Sequence, residues 1–205
     1  MKSVLFIHRS VGQNLLDDGG LNYAVQSESS MAGIKVNFSD INNNNNKKVP
    51  GQDTKPKDYL KYFSKIRCEA DLVVIKSCYP NSSIKSTTDL AELKKIYKDL
   101  IKKYLENSPG KMLLLTTPPL RPISTNGFEA KRARLLSDWL SSQKFGQRVR
   151  VFNFFDLLAE PINSTNPSTL KKEYRRCLPW DNHPNKLASR TIAPILSKEI
   201  VNFIK

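Results

Sequence analysis

Four residues spread along the chain, Ser10, Gly51, Asn81 and His183, are of the types that acyl transfer requires. A serine hydroxyl is a weak nucleophile at its own pKa and attacks a carbonyl only when a neighbouring base takes its proton. The tetrahedral oxyanion that results needs donors, such as backbone N–H groups or an asparagine amide. Ser10 is the candidate nucleophile and His183 the candidate base. The Ser10 N–H, the Gly51 N–H and the Asn81 amide are the candidate oxyanion donors. Asp181, two residues before His183, can fix the imidazole tautomer and steady the imidazolium, which does not require the carboxylate to take the proton. Arg9 and Arg121 are the candidates for holding an anionic part of a substrate.

Each residue also has a plainer reading. Ser10 can cap a short helix, Gly51 can serve the turn after Pro50, Asn81 can end a loop between Pro80 and Ser82, and His183 can be a surface residue before Pro184. His8 is a rival base, but its place at the end of an apolar run suits a hydrogen-bonded interior histidine. Cys78, on or just beyond another apolar run, suits an inert packed thiol.

These residues have to be positioned by regular elements, and the hydrophobic pattern supplies them. Val4–Ile7, Ile34–Phe38, Ala70–Ile75, Met112–Thr116 and Val149–Phe152 read as five strands. The third and fourth are uninterrupted, as in parallel strands buried on both faces. Between them, Gln13–Asp18, Asp58–Ile66, Asp89–Glu106, Phe128–Leu140 and Asn185–Ile204 have helical spacing. Asp89 is the expected cap of the longest helix. Leu187, Ile195, Ile200 and Phe203 are the expected inward residues of the last, with Pro194 as a possible kink. Strands alternating with helices imply right-handed crossovers and a largely parallel sheet covered on both sides, which binds ligands at the strands' carboxyl ends. Ser10, Gly51, Asn81 and the His183 segment follow the first, second, third and fifth strands. The Asn42–Asn46 run reads as an exposed loop.

The segment VLFIHRSVGQNLL resembles the first block of the SGNH (GDSL-like) hydrolase family, with His8-Arg9 in place of the Gly-Asp before the serine. VPGQDT resembles the second block, DLVVIKSCYPN the third and WDNHPN the fifth. The family's acidic residue lies three positions before the histidine, where this chain has Trp180, so Asp181 is displaced by one. The resemblance spans Val4 to Asn185. It implies an α/β three-layer flavodoxin-like fold with a five-stranded, mainly parallel sheet, no metal or organic cofactor, and cleavage of an ester or O-acyl bond, such as that of an O-acetyl sugar, by an acyl-enzyme route.

At 205 residues with 39% hydrophobic composition, the chain is expected to form one domain over residues 1–205. Its longest apolar runs fall far short of the ~20 residues that span a bilayer, and its first residues are too short an apolar run for a signal peptide. Three cysteines without paired spacing argue against a disulfide framework or a zinc knuckle, and a cytoplasmic setting is the default expectation. The net charge of +14 raises a second function class, a polyanion- or nucleic-acid-binding protein on an inactive fold, with Arg175-Arg176 among its supports. Much of the charge falls on one expected helix face, Lys94, Lys95, Lys98, Lys102 and Lys103, and no nucleic-acid motif accompanies it. A small-molecule or carbohydrate ester is therefore the expected partner, rather than nucleic acid.

Overall fold

The five apolar runs become β1 (Lys2–His8), β2 (Val36–Asn42), β3 (Leu72–Lys76), β4 (Lys111–Leu115) and β5 (Val149–Phe152). The structure is a computed structural model and describes residues 1–42 and 55–205. All strand pairings are parallel, in the order β2-β1-β3-β4-β5. The strand order reverses between β1 and β3, and in a doubly wound sheet the crevice outside the carboxyl ends at that reversal is where ligands bind.

Alternate residues of the strands serve two different cores. Val4 and Phe6 of β1, Leu72 and Val74 of β3, and Leu113 and Leu115 of β4 face α1 (Ser10–Asp17), α2 (Leu21–Met31) and α7 (Lys186–Ile204). Ile7, Val73, Ile75, Met112 and Leu114 face α3 (Pro56–Phe63), α4 (Thr87–Asn107) and α5 (Gly127–Ser142). The period-two alternation thus sorts an unbroken apolar strand into two packed faces, giving the expected three-layer α/β arrangement.

Several boundaries differ from the sequence reading. α1 begins three residues early, at Ser10. α2 was not expected, because its buried stripe is only Leu21, Val25 and Ser29 among polar neighbours. A short helix, α6 (Phe154–Leu158), follows β5. α4 begins at Thr87, with Ser86 as its cap: Ser86 Oγ accepts from the Asp89 N–H at 3.0 Å and Asp89 Oδ2 accepts from the Ser86 N–H at 3.1 Å. Asp89 is therefore the reciprocal partner in a capping box rather than the cap. In α7 the buried line runs through Ala188, Ile192, Leu196 and Ile200. Leu187 and Ile195 each lie one residue, about 100°, off that line and are exposed, whereas Ile200 and Phe203 point inward as expected.

Candidate active site

β1 ends on His8, which is fully buried. Its side chain shares a sheet face with Phe6, whose ring centroid is 4.5 Å away. α1 sits directly on this ring: a Cβ on Gly12 would lie 2.3 Å from His8 Cβ, so only glycine allows the approach. His8 Nδ1 is 3.0 Å from Arg9 O and Nε2 is 3.2 Å from Asp40 Oδ2. Burial lowers its pKa, and the bonds to Arg9 and Asp40 and the Asp40 charge recover only part of that. His8 is thus an interior histidine supporting the start of α1, and α1 is what places Ser10.

Arg9 is the N-cap residue of α1, with extended backbone and no side-chain cap bond, and Ser10 is the first helical residue. The capping role weighed for Ser10 is therefore not the one it has. The first intrahelical bond is Gln13 N–H to Arg9 O at 2.9 Å. The amides of Ser10, Val11 and Gly12 precede it and lie at the positive end of the helix dipole. Ser10 Oγ is 3.7 Å from Cys78 Sγ.

Beyond β3 the chain forms a 3-10 turn at Tyr79–Ser82. Asn81 Nδ2 donates to Cys78 O at 2.9 Å. Asn81 also lines an open cleft of about 400 Å³ together with Pro56, Ile84, Glu92 and Ile96. The Tyr79 ring meets the His183 ring edge-on, with centroids 5.0 Å apart. Consecutive residues Cys78 and Tyr79 therefore touch Ser10 on one side and His183 on the other, although no hydrogen bond joins Ser10 to His183 among the described residues.

The His183 segment is neither helix nor strand, and an isolated bridge between Arg175 and Pro184 holds it together with side chains. Asp181 Oδ1 accepts from the His183 N–H at 2.9 Å and from His183 Nδ1 at 2.6 Å. A carboxylate only accepts, so Nδ1 carries the proton, and Nε2 is the nitrogen that would be unprotonated in the neutral form of the ring. The two-residue spacing thus permits the orienting contact, because the same oxygen closes a local turn onto the backbone. Burial pushes the Asp181 pKa up, but the two His183 bonds, the His183 charge and the Arg176 charge together hold it below the usual carboxylate value. Arg176 Nη1 stands 3.5 Å from Asp181 Oδ2, and Arg176 Nε donates to Pro184 O at 3.3 Å. Arg175 Nε donates to Leu170 O at 2.8 Å. This arginine pair braces the loop, whereas the sequence had suggested a polyanion contact.

Arg121 has a similar part. Its Nη1 reaches the carbonyls of Arg176 at 3.0 Å, Leu178, and Asp181 at 3.3 Å, and its backbone N–H donates to Asn182 Oδ1 at 3.0 Å. The residue expected to meet substrate is occupied with fastening the loop that carries His183. The bracing role of Arg176 and the contact of Tyr79 with His183 were not visible in sequence, because neither strand nor helix periodicity reports on a contact within an irregular loop.

No family model and no curated protein sequence matches the chain. Solved structures match over nearly its whole length. The lipase/acylhydrolase from Enterococcus faecalis superposes with a TM-score of 0.63 at 15% identity, covering 98% of this chain and 96% of that one. A putative lipolytic protein of the G-D-S-L family from Desulfitobacterium hafniense DCB-2 gives 0.57 at 14%, covering 97% and 99%. The fold is that of the SGNH hydrolases. The acetyl xylan esterase AlAXEase is similar too, with a TM-score of 0.52 at 20% identity over 97% and 99% of the two chains. In this SGNH-type fold Ser10 follows β1, Asn81 follows β3, and His183 with Asp181 comes after β5, in the loop before α7. Gly51 lies outside the described residues. Among the described residues no helix is long and apolar enough to cross a membrane, and no three His, Cys, Asp or Glu side chains are grouped as metal ligands.

Proposed function

We propose that the chain is a serine hydrolase that cleaves an ester or O-acyl bond through Ser10. The observation that carries this reading is the 2.6 Å bond from His183 Nδ1 to Asp181, which leaves Nε2 as the proton acceptor on a ring that shares the Cys78-Tyr79 segment with Ser10. His183 Nε2 takes the Ser10 proton as Oγ bonds to the acyl carbon. The imidazolium then protonates the departing alcohol, leaving an acyl-Ser10 ester. Water, deprotonated by the same nitrogen, attacks that ester, and the carboxylic acid leaves as Ser10 regains its proton. The Ser10 N–H at the start of α1, the Asn81 amide and the Gly51 N–H are the donors assigned to the oxyanion. Arg9, next to Ser10, is the residue assigned to an anionic substrate group.

An acylated small molecule or carbohydrate is the proposed substrate class, in keeping with a fold shared with an acetyl xylan esterase. The polyanion-binding alternative lacks a comparable observation. Lys94 and Lys98 lie over the Trp139 ring, Lys95 pairs with Asp99, and Lys102 and Lys103 pair with Glu106.

The test is incubation with a fluorophosphonate probe followed by mass mapping. Labelling at Ser10 that disappears in Ser10→Ala is expected. Labelling elsewhere, or none in the wild type under conditions that label a control esterase, would remove the assignment.

A further inference from the structure

Lys76 closes β3 with no exposed surface, inside a strand whose other residues are all apolar. Strand alternation sets its side chain on the same face as Leu72 and Val74, the face on which His8 lies under α1. Its Nζ donates to Ser77 O at 2.9 Å, and among the described residues no carboxylate pairs with it. A buried ammonium ordinarily needs a counter-charge, because removing an ion from water costs several kcal/mol. A lysine kept here with one carbonyl acceptor is therefore out of keeping with a purely structural role.

Its surroundings indicate what the charge acts on. The titratable groups that feel it are Cys78, from the segment after β3, and His8, from β1. Register pairs Lys76 with Leu115 of β4, which has no charge. Cys78 Sγ touches Ser10 Oγ, and the His8 ring supports the first turn of α1. Nearby Asp40 is turned to His8 Nε2.

We infer that Lys76 is a positioning residue for the Ser10 site: a buried cation with no carboxylate partner among the described residues, on the sheet face that α1 covers at His8, whose field favours the anionic species formed at Ser10. The inference rests on the serine-hydrolase reading. At low local dielectric one such charge acts over several ångströms and adds to the dipole of α1. Burial lowers the Lys76 pKa to about 8, with the Cys78 charge opposing, so the cation persists at neutral pH and is lost as pH rises through that value.

The experiment compares Lys76→Met with the wild type in fluorophosphonate labelling rate, in ester turnover against pH, and in thermal melting. Methionine keeps the volume and removes the charge, so the variant is expected to melt no lower than the wild type. It is expected to label and turn over about tenfold more slowly at pH 7, less than the ~10²–10³-fold lost with a direct oxyanion donor. KM should hardly move. The wild type should lose rate as pH rises past about 8, and Lys76→Met should not. Cys78→Ala should retain that alkaline fall, which separates the lysine from the neighbouring thiol. A Lys76→Met protein that is less stable but equally fast, or that keeps the alkaline fall, would overturn the inference. Ser10→Ala, run in parallel, tells the two failures apart. If its labelling survives, the nucleophile assignment falls and takes this inference with it. If its labelling is lost while Lys76→Met behaves as wild type, this inference alone falls.

Discussion

The chain has two histidines, and each stands beside an aspartate, yet the two pairs are built for opposite purposes. His8 is fully buried, and both of its nitrogens face acceptors, Arg9 O and Asp40 Oδ2. One proton cannot serve both, and burial keeps the second away. His183 is about one quarter exposed, has one nitrogen committed to Asp181, and leaves the other unclaimed by any described residue. A histidine adjacent to a carboxylate is therefore not in itself a catalytic pair. What distinguishes the second pair is a nitrogen with no partner among the described residues, on a ring that is partly exposed.

Removing the outer ring should show this contrast most strongly. His183→Ala is expected to slow fluorophosphonate labelling and ester turnover by ~10⁴-fold or more, with a change in stability under about 1 kcal/mol, because in the proposed mechanism the ring is the base, and it is only a minor packing element. Asp181→Asn should follow, with a loss of ~10³–10⁴-fold, since an amide can stabilise the wrong tautomer. Retention of activity would show that the Asp181 contact only shapes the loop.

The inner pair should answer in stability instead. Gly12→Ala drives a methyl group into His8 and should lower the urea-derived stability by about 1–3 kcal/mol. Gly127→Ala, where nothing lies within 4 Å of the added carbon, should be neutral or slightly stabilising. The smallest expected effect is a pH slope. The folded state holds His8 at a pKa below 6.5, so the unfolded chain binds more protons as the medium is acidified. Stability from this site is present above pH 6.5 and is lost as pH falls below it. His8→Gln should lack that component, a difference of no more than ~1.4 kcal/mol per pH unit. Parallel stability curves for the two proteins down to pH 5 would contradict the burial argument.

The strands were legible in the sequence because a strand buried on both faces has to be an unbroken apolar run, as Leu72–Ile75 and Met112–Leu115 are. Of the site candidates, Ser10 and Asn81 do follow β1 and β3 closely, whereas His183 lies far beyond β5, in the loop before α7. α2 was not legible, since three buried residues in eleven give little contrast. Nor was the work of Arg121: a positive side chain gives no indication in sequence of which carbonyls it will meet across a gap of 55–60 residues. Lys76 was not singled out in sequence, since a lysine just past an apolar run gives no sign that it is buried, as it is here.

The Arg121 clamp also bears on the order in which the molecule is assembled. The His183 loop cannot settle until the segment after β4 is in place to receive it, because the single guanidinium of Arg121 there gathers the carbonyls of Arg176, Leu178 and Asp181. Contacts so distant along the chain close late, after local helices have formed. Being few and near the surface, they also open early. In rising denaturant, hydrolysis should therefore vanish before the helical signal begins to fall, so that activity serves as a timer for the last step of folding and secondary structure for the earlier ones.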